Sequence, residues 1–288
     1  MNRNHAVGVE AEQFNESPNR KRNMLRALYT SATGMKAQEM LIDNTANNLA
    51  NVNTTAFKRS RMDFADLYYT NQRAPGSSVS NAQISPTGLQ IGNGVRVVAT
   101  SKSFVNGTAE QTGNPLDIAI EGDGFFPVLI NNGETRYTRA GSFKLDNQGR
   151  LTTPDGYVVQ PTITINSGSD NMSITIGKDG TVQVGTTGST QGRQTVGQLQ
   201  IATFLNPAGL SSEGNNLYAD TLASGAAQLG NPGATGYGQL GQGFLEGSNV
   251  EVVTELISLI AAQRAYEINS RAIRSGDEML KTATDIVR

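Results

Sequence analysis

The side chains that most often carry catalysis are nearly absent from this sequence. The chain has no cysteine, and its single histidine, His5, lies in a polar stretch at the N-terminus. These residues leave almost no material for a zinc site or a Ser-His-Asp mechanism. Aspartate and glutamate are too scattered along the chain to nominate a glycosidase pair. Carboxylate chemistry stays formally open, but the sequence nominates no catalytic residue.

Three glycine-containing acidic stretches invite a ligand-binding interpretation, and each fails on its spacing. EGDGFF at 121–126 has neither the GxGxxG fingerprint nor a GKS or GKT step, so it favours a tight bend at the end of a strand. DNQG at 146–149 and KDG at 178–180 lack the ligand pattern of a calcium loop and its final glutamate, and are typical of hairpin turns. We therefore predict no cofactor, no metal and no small-molecule substrate.

The composition excludes one class of partner and leaves two compartments open. The chain has 288 residues, enough for one large or two ordinary domains, and its formal net charge of -2 argues against a nucleic-acid partner. No apolar run is long enough to span a bilayer, and residues 1–23 lack the apolar region of a secretory signal. We expect residues 1–23 to be a disordered polar extension. A cytoplasmic protein and a protein exported unfolded both fit this composition.

Both ends of the chain have the apolar spacing of helices. Near the N-terminus, an apolar residue recurs every seven positions, which predicts a helix over about 25–50; these residues are Leu28, Met35, Ile42 and Leu49. Near the C-terminus, SNVE at 248–251 is a capping box, and apolar residues again recur every seven positions after it, at Val252, Leu259, Tyr266, Ile273 and Leu280. A second row widens the apolar arc to roughly half of the helix; it consists of Ile257, Ala261, Ala265, Ile268, Ala272, Gly276, Met279, Ala283 and Ile286. Two interpretations stay open: a helical hairpin packed on its own domain, or helices that each meet several other copies of the chain.

The middle of the sequence has the signals of β-structure. Short alternating runs separated by tight turns over residues 116–219 predict a mainly antiparallel domain. Two flanking segments, 69–90 and the glycine-rich 225–247, have no period, and we expect them to fold against a partner. The predicted fold class is α+β, with long N- and C-terminal helices forming a coiled-coil-like pair around a central, mainly antiparallel β domain.

Four motifs in a fixed order carry a resemblance to a known family. They are ANNLANVNTTAFKR at 46–59, GLQIGNGVRV at 88–97, LDIAIEGDGFFPV at 116–128 with RYTRAGSFKLDNQGRLTTPDGYVVQP at 136–161, and EGSNVEVVTELISLIAAQRAYEINSRAI at 246–273. On these motifs the chain resembles the flagellar axial proteins, and the 88–97 segment resembles the members that build the distal rod. Two departures are visible: members usually begin near Met24, so residues 1–23 are extra, and Pro161 stands where members often carry glycine.

The resemblance implies a mechanical role. It implies a structural subunit of the bacterial flagellar basal body, in its distal rod, that polymerises into a hollow, rigid helical tube and transmits torque from motor to hook. Its implied partners are its own copies, the other rod proteins, hook or hook-junction proteins, ring proteins of the envelope and the flagellar type III export apparatus, which exports it across the inner membrane without a cleaved signal peptide. The alternatives are a proximal rod or hook subunit of the same family and, remotely, a peptidoglycan-acting enzyme.

The resemblance also implies a division of the chain. Residues 24–57 and 248–288 would be the helical segments of an inner-tube domain, and 58–115 an extended connector whose segment 69–90 makes axial contacts. Residues 116–219 would be an outer β domain, and 220–247 a glycine-rich return segment.

Particular residues are expected to make the contacts between helices and subunits. The apolar residues of the two seven-residue repeats named above would pack between helices, and Phe57 would anchor the chain on the β domain. Side-chain amides donate and accept without adding charge, so Asn44, Asn47, Asn48 and Asn51 would hydrogen-bond laterally between subunits. The expected axial contacts are Arg73, Pro75, Pro86 and Leu89.

Overall fold

The chain folds into two compact units. The structure is a computed structural model and describes residues 17–76, 78–80, 83–84, 86–130, 132–165, 172–186 and 193–286. The helical unit consists of Met1–Asn47, Met62–Thr100 and Val253–Arg288, and the β unit of Asn48–Arg61 and Ser101–Val252. Two terminal helices and a mainly antiparallel central region confirm the α+β class.

The helices of the helical unit are α1, Ser17–Ala50, and α2, Val252–Ile286. Helix α1 ends where the spacing predicted, but it begins at Ser17 and so includes residues 17–23 of the polar extension; residues 1–16 lie outside the described part. Arginine and lysine are good helix formers, so the polar RKR run extends a helix that the apolar turns after it have started. Helix α2 begins at Val252, although the capping box placed its N-cap at Ser248. The Ser248 hydroxyl oxygen instead accepts the N–H of Val250 at 3.3 Å.

The two helices contact each other in antiparallel order. A Cβ at position 276 would lie 2.8 Å from Leu28 Cδ2, so Leu28 packs directly on Gly276. A Cβ at position 34 would lie 3.0 Å from Asn269 Nδ2. Residue 28 of α1 contacts residue 276 of α2, and residue 34 contacts residue 269, so the two helices run in opposite directions. A small residue at both points lets the helices approach closely, because a larger one would have to displace the end of the Leu28 or Asn269 side chain.

Six strands between residues 60 and 102 form a nested β-ribbon within the stretch predicted to be an extended connector. Strand β1 (Ser60–Asp66) pairs with β6 (Val95–Lys102), and between them lie β2 (Thr70–Arg73), β3 (Ser78–Ser80), β4 (Gln83–Ile84) and β5 (Leu89–Ile91). Strands β2 and β5 are antiparallel, with Arg73 opposite Leu89, and β3 pairs with β4. These strands are short and polar, so their alternation could not be recognised in the sequence.

The β unit is built on antiparallel strands. They are β7 (Ala109–Gln111), β8 (Ile118–Glu121), β9 (Phe126–Leu129), β10 (Thr135–Thr138), β11 (Lys144–Leu145), β12 (Leu151–Thr152), β13 (Val158–Val159), β14 (Met172–Ile176), β15 (Thr181–Thr186), β16 (Gln194–Gln198), β17 (Ile201–Thr203), β18 (Ser211–Gly214), β19 (Leu217–Ala219), β20 (Gln228–Gly230), β21 (Gln239–Gln242) and β22 (Phe244–Glu246). The largest sheet has the order β11-β12-β13-β9-β10-β19-β18, and β14-β15-β16 forms a second. Their hydrophobic core includes Ile118, Phe126, Val128, Leu151 and Ile165.

The glycine-rich return segment folds onto its own protein. Strand β20 pairs with β17, β21 with β8, and β22 with β7. This corrects the expectation that residues 225–247 fold against a partner. Several of these glycines have positive φ, among them Gly233 and Gly243, so the glycine content serves tight turns between short strands.

Candidate functional site: the neck and the exposed helix face

Three segments of the β unit are joined by hydrogen bonds where the chain leaves that unit. We call residues 48–60, 103–107 and 246–249 the neck. The buried side-chain amide of Asn48 makes two hydrogen bonds to the backbone of Ser60. Its Nδ2 donates to Ser60 O at 2.9 Å, and its Oδ1 accepts the Ser60 N–H at 3.0 Å. Ser103 N–H donates to Arg59 O at 2.9 Å. The first two segments are thereby fixed to each other.

Asn249 joins the third segment to the other two. Its Oδ1 accepts the Arg59 N–H at 2.7 Å, and its Nδ2 donates to Ser103 O at 2.8 Å and to Val105 O at 3.0 Å. The backbone adds a further link, because the Ala56 N–H donates to Glu246 O at 2.7 Å. One amide side chain therefore bridges all three segments of the neck.

A buried group of charges lies at the centre of the neck. We call Lys58, Arg139 and Glu246 the charge cluster; their side chains are 0%, 1% and 3% exposed. Lys58 Nζ lies 2.6 Å from Glu246 Oε1 and donates to Val105 O at 2.8 Å. Glu246 Oε1 also lies 3.4 Å from Arg139 Nη1. Two cations thus share one carboxylate oxygen.

Arg139 fixes this part of the neck to the sheet of the β unit. Its Nε donates to Gly124 O at 2.9 Å, its Nη2 donates to Gly122 O, and its Nη1 donates to Asn106 Oδ1 at 2.8 Å. The guanidinium carbon lies 5.4 Å from the ring centroid of Phe125, which is the geometry of a cation–π contact. Arginine suits this position because its rigid fork of donors can bind several acceptors at once.

The electrostatics of the cluster follow from its burial. Burial lowers the pKa of Lys58, and the neighbouring Arg139 lowers it further, while Glu246 opposes both effects. Burial likewise lowers the pKa of Arg139, and Glu246 opposes it. Burial also raises the pKa of Tyr218 to about 12. Burying charges is costly unless they are paired and hydrogen-bonded. Here Lys58 and Arg139 are both paired with Glu246 Oε1, while Glu246 Oε2 is buried without a hydrogen-bond partner among the described residues.

The enclosed cluster holds the segments of the neck together. All three side chains are closed off from solvent, and the described hydrogen bonds of Lys58 and Arg139 go to groups of the protein. Sequence reasoning missed the cluster because Lys58 and Glu246 are 188 residues apart. The available signal was the placement of each charged residue directly after an apolar one, Phe57 and Leu245.

Four of the predicted residues lie in the neck: Asn48, Leu49, Asn51 and Phe57. Phe57 is buried in the β unit, with Lys102 Nζ 5.1 Å from its ring centroid. Asn48 was predicted to hydrogen-bond between subunits, but its amide binds Ser60 of the same molecule. Asn47 is exposed, and Asn44 and Asn51 are half-buried, with Asn51 Oδ1 accepting from the Thr54 hydroxyl at 3.2 Å.

Most apolar residues of the two seven-residue repeats are only half-buried. Half-buried are Leu28, Met35, Ile42, Leu49, Leu259, Ile273 and Leu280, while Val252 and Tyr266 are exposed. The more deeply buried row of α2 consists of Glu255, Ala262 and Gly276, also seven or fourteen residues apart. Gly276 belongs to the second row predicted from the sequence, whereas Glu255 and Ala262 were missed because one is polar and the other small.

A stripe of aliphatic side chains on α2 is open to solvent. We call Val253, Leu256, Ile257 and Ile260 the α2 stripe; they are 64%, 40%, 63% and 54% exposed. Their i, i+3, i+4, i+7 spacing places them on one face of the helix. A contiguous apolar surface of this kind marks an interaction site in a soluble protein.

The predicted axial contacts are exposed as well. Arg73, Pro75, Pro86 and Leu89 all face solvent, and the hairpin of β2 and β5 brings three of them together: Arg73, Pro75 and Leu89. A Cβ at position 88 would lie 2.6 Å from Arg73 O and 2.7 Å from Pro75 Cδ, so Gly88 permits this close approach.

The described residues give no sign of a membrane span or a metal site. Neither helix has an apolar stretch long enough to cross a bilayer, within the part of the protein that the structure describes. In the same residues, no three potential metal-ligating side chains come together.

Comparisons with known proteins place this sequence in a family. Three family models match it: "Flagella basal body rod protein" over residues 28–58, "Flagellar hook protein FlgE/F/G D1 domain" over 119–184, and "Flagellar basal body rod FlgEFG protein C-terminal" over 242–286. The chain is 48% identical over 263 residues to the flagellar basal-body rod protein FlgG of Caulobacter vibrioides, covering 91% of this chain and 99% of that protein. It is 44% identical over 265 residues to FlgG of Borreliella burgdorferi, covering 92% and 100%. It is 42% identical over 273 residues to FlgG of Bacillus subtilis, again covering 92% and 100%. These matches along nearly the whole sequence show that the chain belongs to the FlgG family of flagellar basal-body rod proteins.

Proposed function

We propose that this protein is a structural subunit of the distal rod of the bacterial flagellum. It is a structural protein and not an enzyme, as its family membership indicates. The observation that carries the proposal is the α2 stripe, because four aliphatic side chains on one helix face need a protein partner. A homopolymer supplies that partner from further copies of the same protein.

In the proposed polymer, α1 and α2 pair in a coiled-coil-like manner and pack against copies of themselves as the inner wall of a hollow tube. The residues of the two seven-residue repeats and the α2 stripe make these contacts. Asn44, Asn47 and Asn51 add lateral hydrogen bonds, and Arg73, Pro75, Pro86 and Leu89 make the axial contacts. We keep as a proposal the division expected from the sequence into inner helical segments, connector, outer β domain and return segment; the β unit of the structure is wider than 116–219, since it also takes in 48–61, 101–115 and 220–252.

The neck has a mechanical role in this proposal. Torque from the motor has to pass through every subunit, so a compliant connection would dissipate it as bending. Hydrogen bonds across three segments and the charge cluster make the neck resist such bending. The proposed partners are the other rod proteins, hook or hook-junction proteins and ring proteins where present. Export uses the flagellar type III apparatus without a cleaved signal peptide.

The test of the proposal is to place charge on the α2 stripe. In a strain that carries Ile257→Asp and Ile260→Asp in its own gene, we expect isolated hook–basal bodies to lack the distal rod, because the carboxylates cannot be buried between subunits. The matched control, Ile257→Leu with Ile260→Leu, keeps the surface apolar and should assemble. Circular dichroism of the purified monomers should be the same for both variants. Normal rods in the Asp variant would refute the proposal.

A hook or proximal rod subunit of the same family is the second candidate. A relative at 33% identity, from Bacillus subtilis, carries the broader name "Flagellar hook-basal body complex protein FlhP". Immunogold electron microscopy of isolated hook–basal bodies, with an antibody to the β unit, separates the candidates. Label on the straight segment between rings and hook supports the distal rod, whereas label on the curved hook supports the sibling role.

A further inference from the structure

The step from Asn106 to Gly107 lies against the charge cluster in an arrangement that the mechanical role does not need. Arg139 Nη1 donates to the amide oxygen Asn106 Oδ1 at 2.8 Å. Glu246 Oε1 accepts the N–H of Gly107 at 2.9 Å. Asn106 is exposed, while both of its charged neighbours are buried. A cation therefore polarises the side-chain amide, and a carboxylate contacts the next backbone nitrogen.

The residue after Asn106 has to be glycine. A Cβ at position 107 would lie 2.0 Å from Gly247 O, so the packing of two neck segments excludes any side chain there. Glycine is also the residue that hinders attack of its own nitrogen on a preceding asparagine least, because it has no Cβ. The fold thus enforces the dipeptide that is chemically the most prone to cyclise.

We propose that Asn106 is a self-modification site, at which the folded protein converts asparagine to aspartate or isoaspartate. The Gly107 nitrogen attacks Cγ of Asn106 and forms a new C–N bond, and the N–H proton passes to Glu246 Oε1. The bond between Cγ and Nδ2 of Asn106 breaks, and Nδ2 takes a proton from solvent and leaves as ammonia. Glu246 returns its proton to solvent. Water then opens the resulting succinimide at either carbonyl carbon.

Each neighbour has a defined part in this reaction. Glu246 is the general base for the attacking nitrogen. Arg139 stabilises the negative charge that develops on Oδ1 during the attack, as a donor in an oxyanion hole does. Water reaches the site because Asn106 is exposed.

The product has an electrostatic advantage over the starting residue. The charge cluster holds two cations and one carboxylate, a net charge of +1 in a buried site. Asp123, which is exposed, contributes a weaker attraction to Arg139. A carboxylate at position 106 would balance the excess charge against Arg139, and unbalanced buried charge is costly.

Two other Asn-Gly steps in the sequence provide internal comparisons. Asn93 uses its Nδ2 to donate to Tyr68 O at 2.6 Å and Thr70 Oγ1 at 3.2 Å. Gly133, which follows Asn132, donates its N–H to the backbone carbonyl of Ile130 at 2.9 Å. In the described contacts, neither step has an arginine on the amide oxygen together with a carboxylate on the following N–H.

The experiment measures deamidation at all three steps in the full-length protein. Purified protein is incubated at neutral pH, folded or in urea, and digested; mass spectrometry follows the rise of about one dalton that marks the change from amide to acid at each asparagine. We expect Asn106 to react at least about tenfold faster in the folded protein than in urea, because the base and the oxyanion donor exist only in the fold. Asn93 and Asn132 should react no faster when folded. An Asn106 rate that is equal or lower in the folded protein would overturn the proposal.

Variants assign the roles of the neighbours. Glu246→Gln keeps a hydrogen-bond acceptor but removes the base, and should reduce the folded rate at Asn106 to the rate in urea. Arg139→Lys should reduce it in part. Because either variant can fail to fold, the comparison of folded and unfolded wild-type protein decides the question alone. Loss of ammonia with a cross-link between Asn106 and Lys58 would also overturn the proposal, since the nucleophile would then be Lys58 Nζ.

Discussion

At the scale of single residues, the charge cluster is asymmetric, and its members are not equally replaceable. Lys58 and Arg139 both depend on Glu246 Oε1, whereas Glu246 has two cations. Losing Glu246 leaves two buried cations side by side. Losing Lys58 leaves one cation with one carboxylate.

We therefore expect Glu246→Gln to destabilise the protein far more than Lys58→Met. Breaking a buried ion pair by removing one partner costs about 3–5 kcal/mol, and Glu246→Gln should reach that range. Lys58→Met should cost less than half as much, because a neutral pair remains. Urea denaturation followed by fluorescence or circular dichroism gives both values, and the reverse order would contradict the assignment of Glu246 as the shared acceptor.

The phenol of Tyr218 makes stability depend on pH in the alkaline range. Its pKa in the folded protein is about 12, raised by burial from an ordinary value of 10.0. Between these values the unfolded protein loses the proton and the folded protein keeps it, so the free energy of unfolding falls as pH rises from 10 to about 12.

In Tyr218→Phe we expect this fall to shrink by about 2 kcal/mol, since two pKa units correspond to that order of free energy. Tyr137 keeps part of the fall, because burial raises its pKa too. Lys58 and Lys102 act in the opposite sense at lower pH, since burial lowers their pKa. Denaturation of the wild type and of Tyr218→Phe between pH 10 and 12 gives the contribution of Tyr218 as the difference between the two curves. If the free energy of unfolding depends on pH identically in both proteins, the raised pKa of Tyr218 is contradicted.

At the scale of the elements, sequence reasoning succeeded where a pattern is local. The period of seven located both helices, and the end of α1 at Ala50 is confirmed. Local pattern could not select partners distant in sequence: the pairing of Phe244 with Gln111 joins two three-residue strands, too short to carry a signal. It also could not find Glu255 in the buried row of α2, since a glutamate is not an apolar anchor. The charge cluster could not be predicted for the same reason, because Lys58 and Glu246 are 188 residues apart in the sequence.

The contact between α1 and α2 depends on a small residue facing a large one. We expect Gly276→Val to weaken it, because a Cβ there already lies 2.8 Å from Leu28 Cδ2 and the extra methyl groups overpack the site. Leu28→Ala in the same protein should restore part of the loss by making room. Thermal unfolding of the two single variants and the double variant is followed by the helical circular dichroism signal. It gives the coupling energy between Leu28 and Gly276. Strictly additive effects would mean that the two residues do not pack together in solution.

At the scale of the whole molecule, the proposed axial-contact segment, residues 69–90, connects the shape of one subunit to the stiffness of a polymer. Arg73, Pro75 and Leu89 are exposed on one small hairpin. A rod that carries such a hairpin on every subunit gains contacts along its axis. Additional axial contacts oppose bending, which distinguishes a straight rod from a hook that must bend.

Deleting residues 74–85 should therefore give a polymer that bends more easily. The matched control replaces the same residues by a Gly/Ser segment of equal length, which separates the effect of length from that of sequence. Curvature is measured on electron micrographs of isolated hook–basal bodies. A rod that stays as straight as the wild type after the deletion would dispose of the axial-contact role.

The neck has a consequence for how such a protein can change over time. Every covalent connection into the β unit passes through or next to residues 48–60, 103–107 and 246–249, and these segments are bound to one another. A β unit of different size can be exchanged at this single junction while the sequence of the helices is kept. In the tube proposed above, such an exchange would change the outer diameter without changing the lining of the channel.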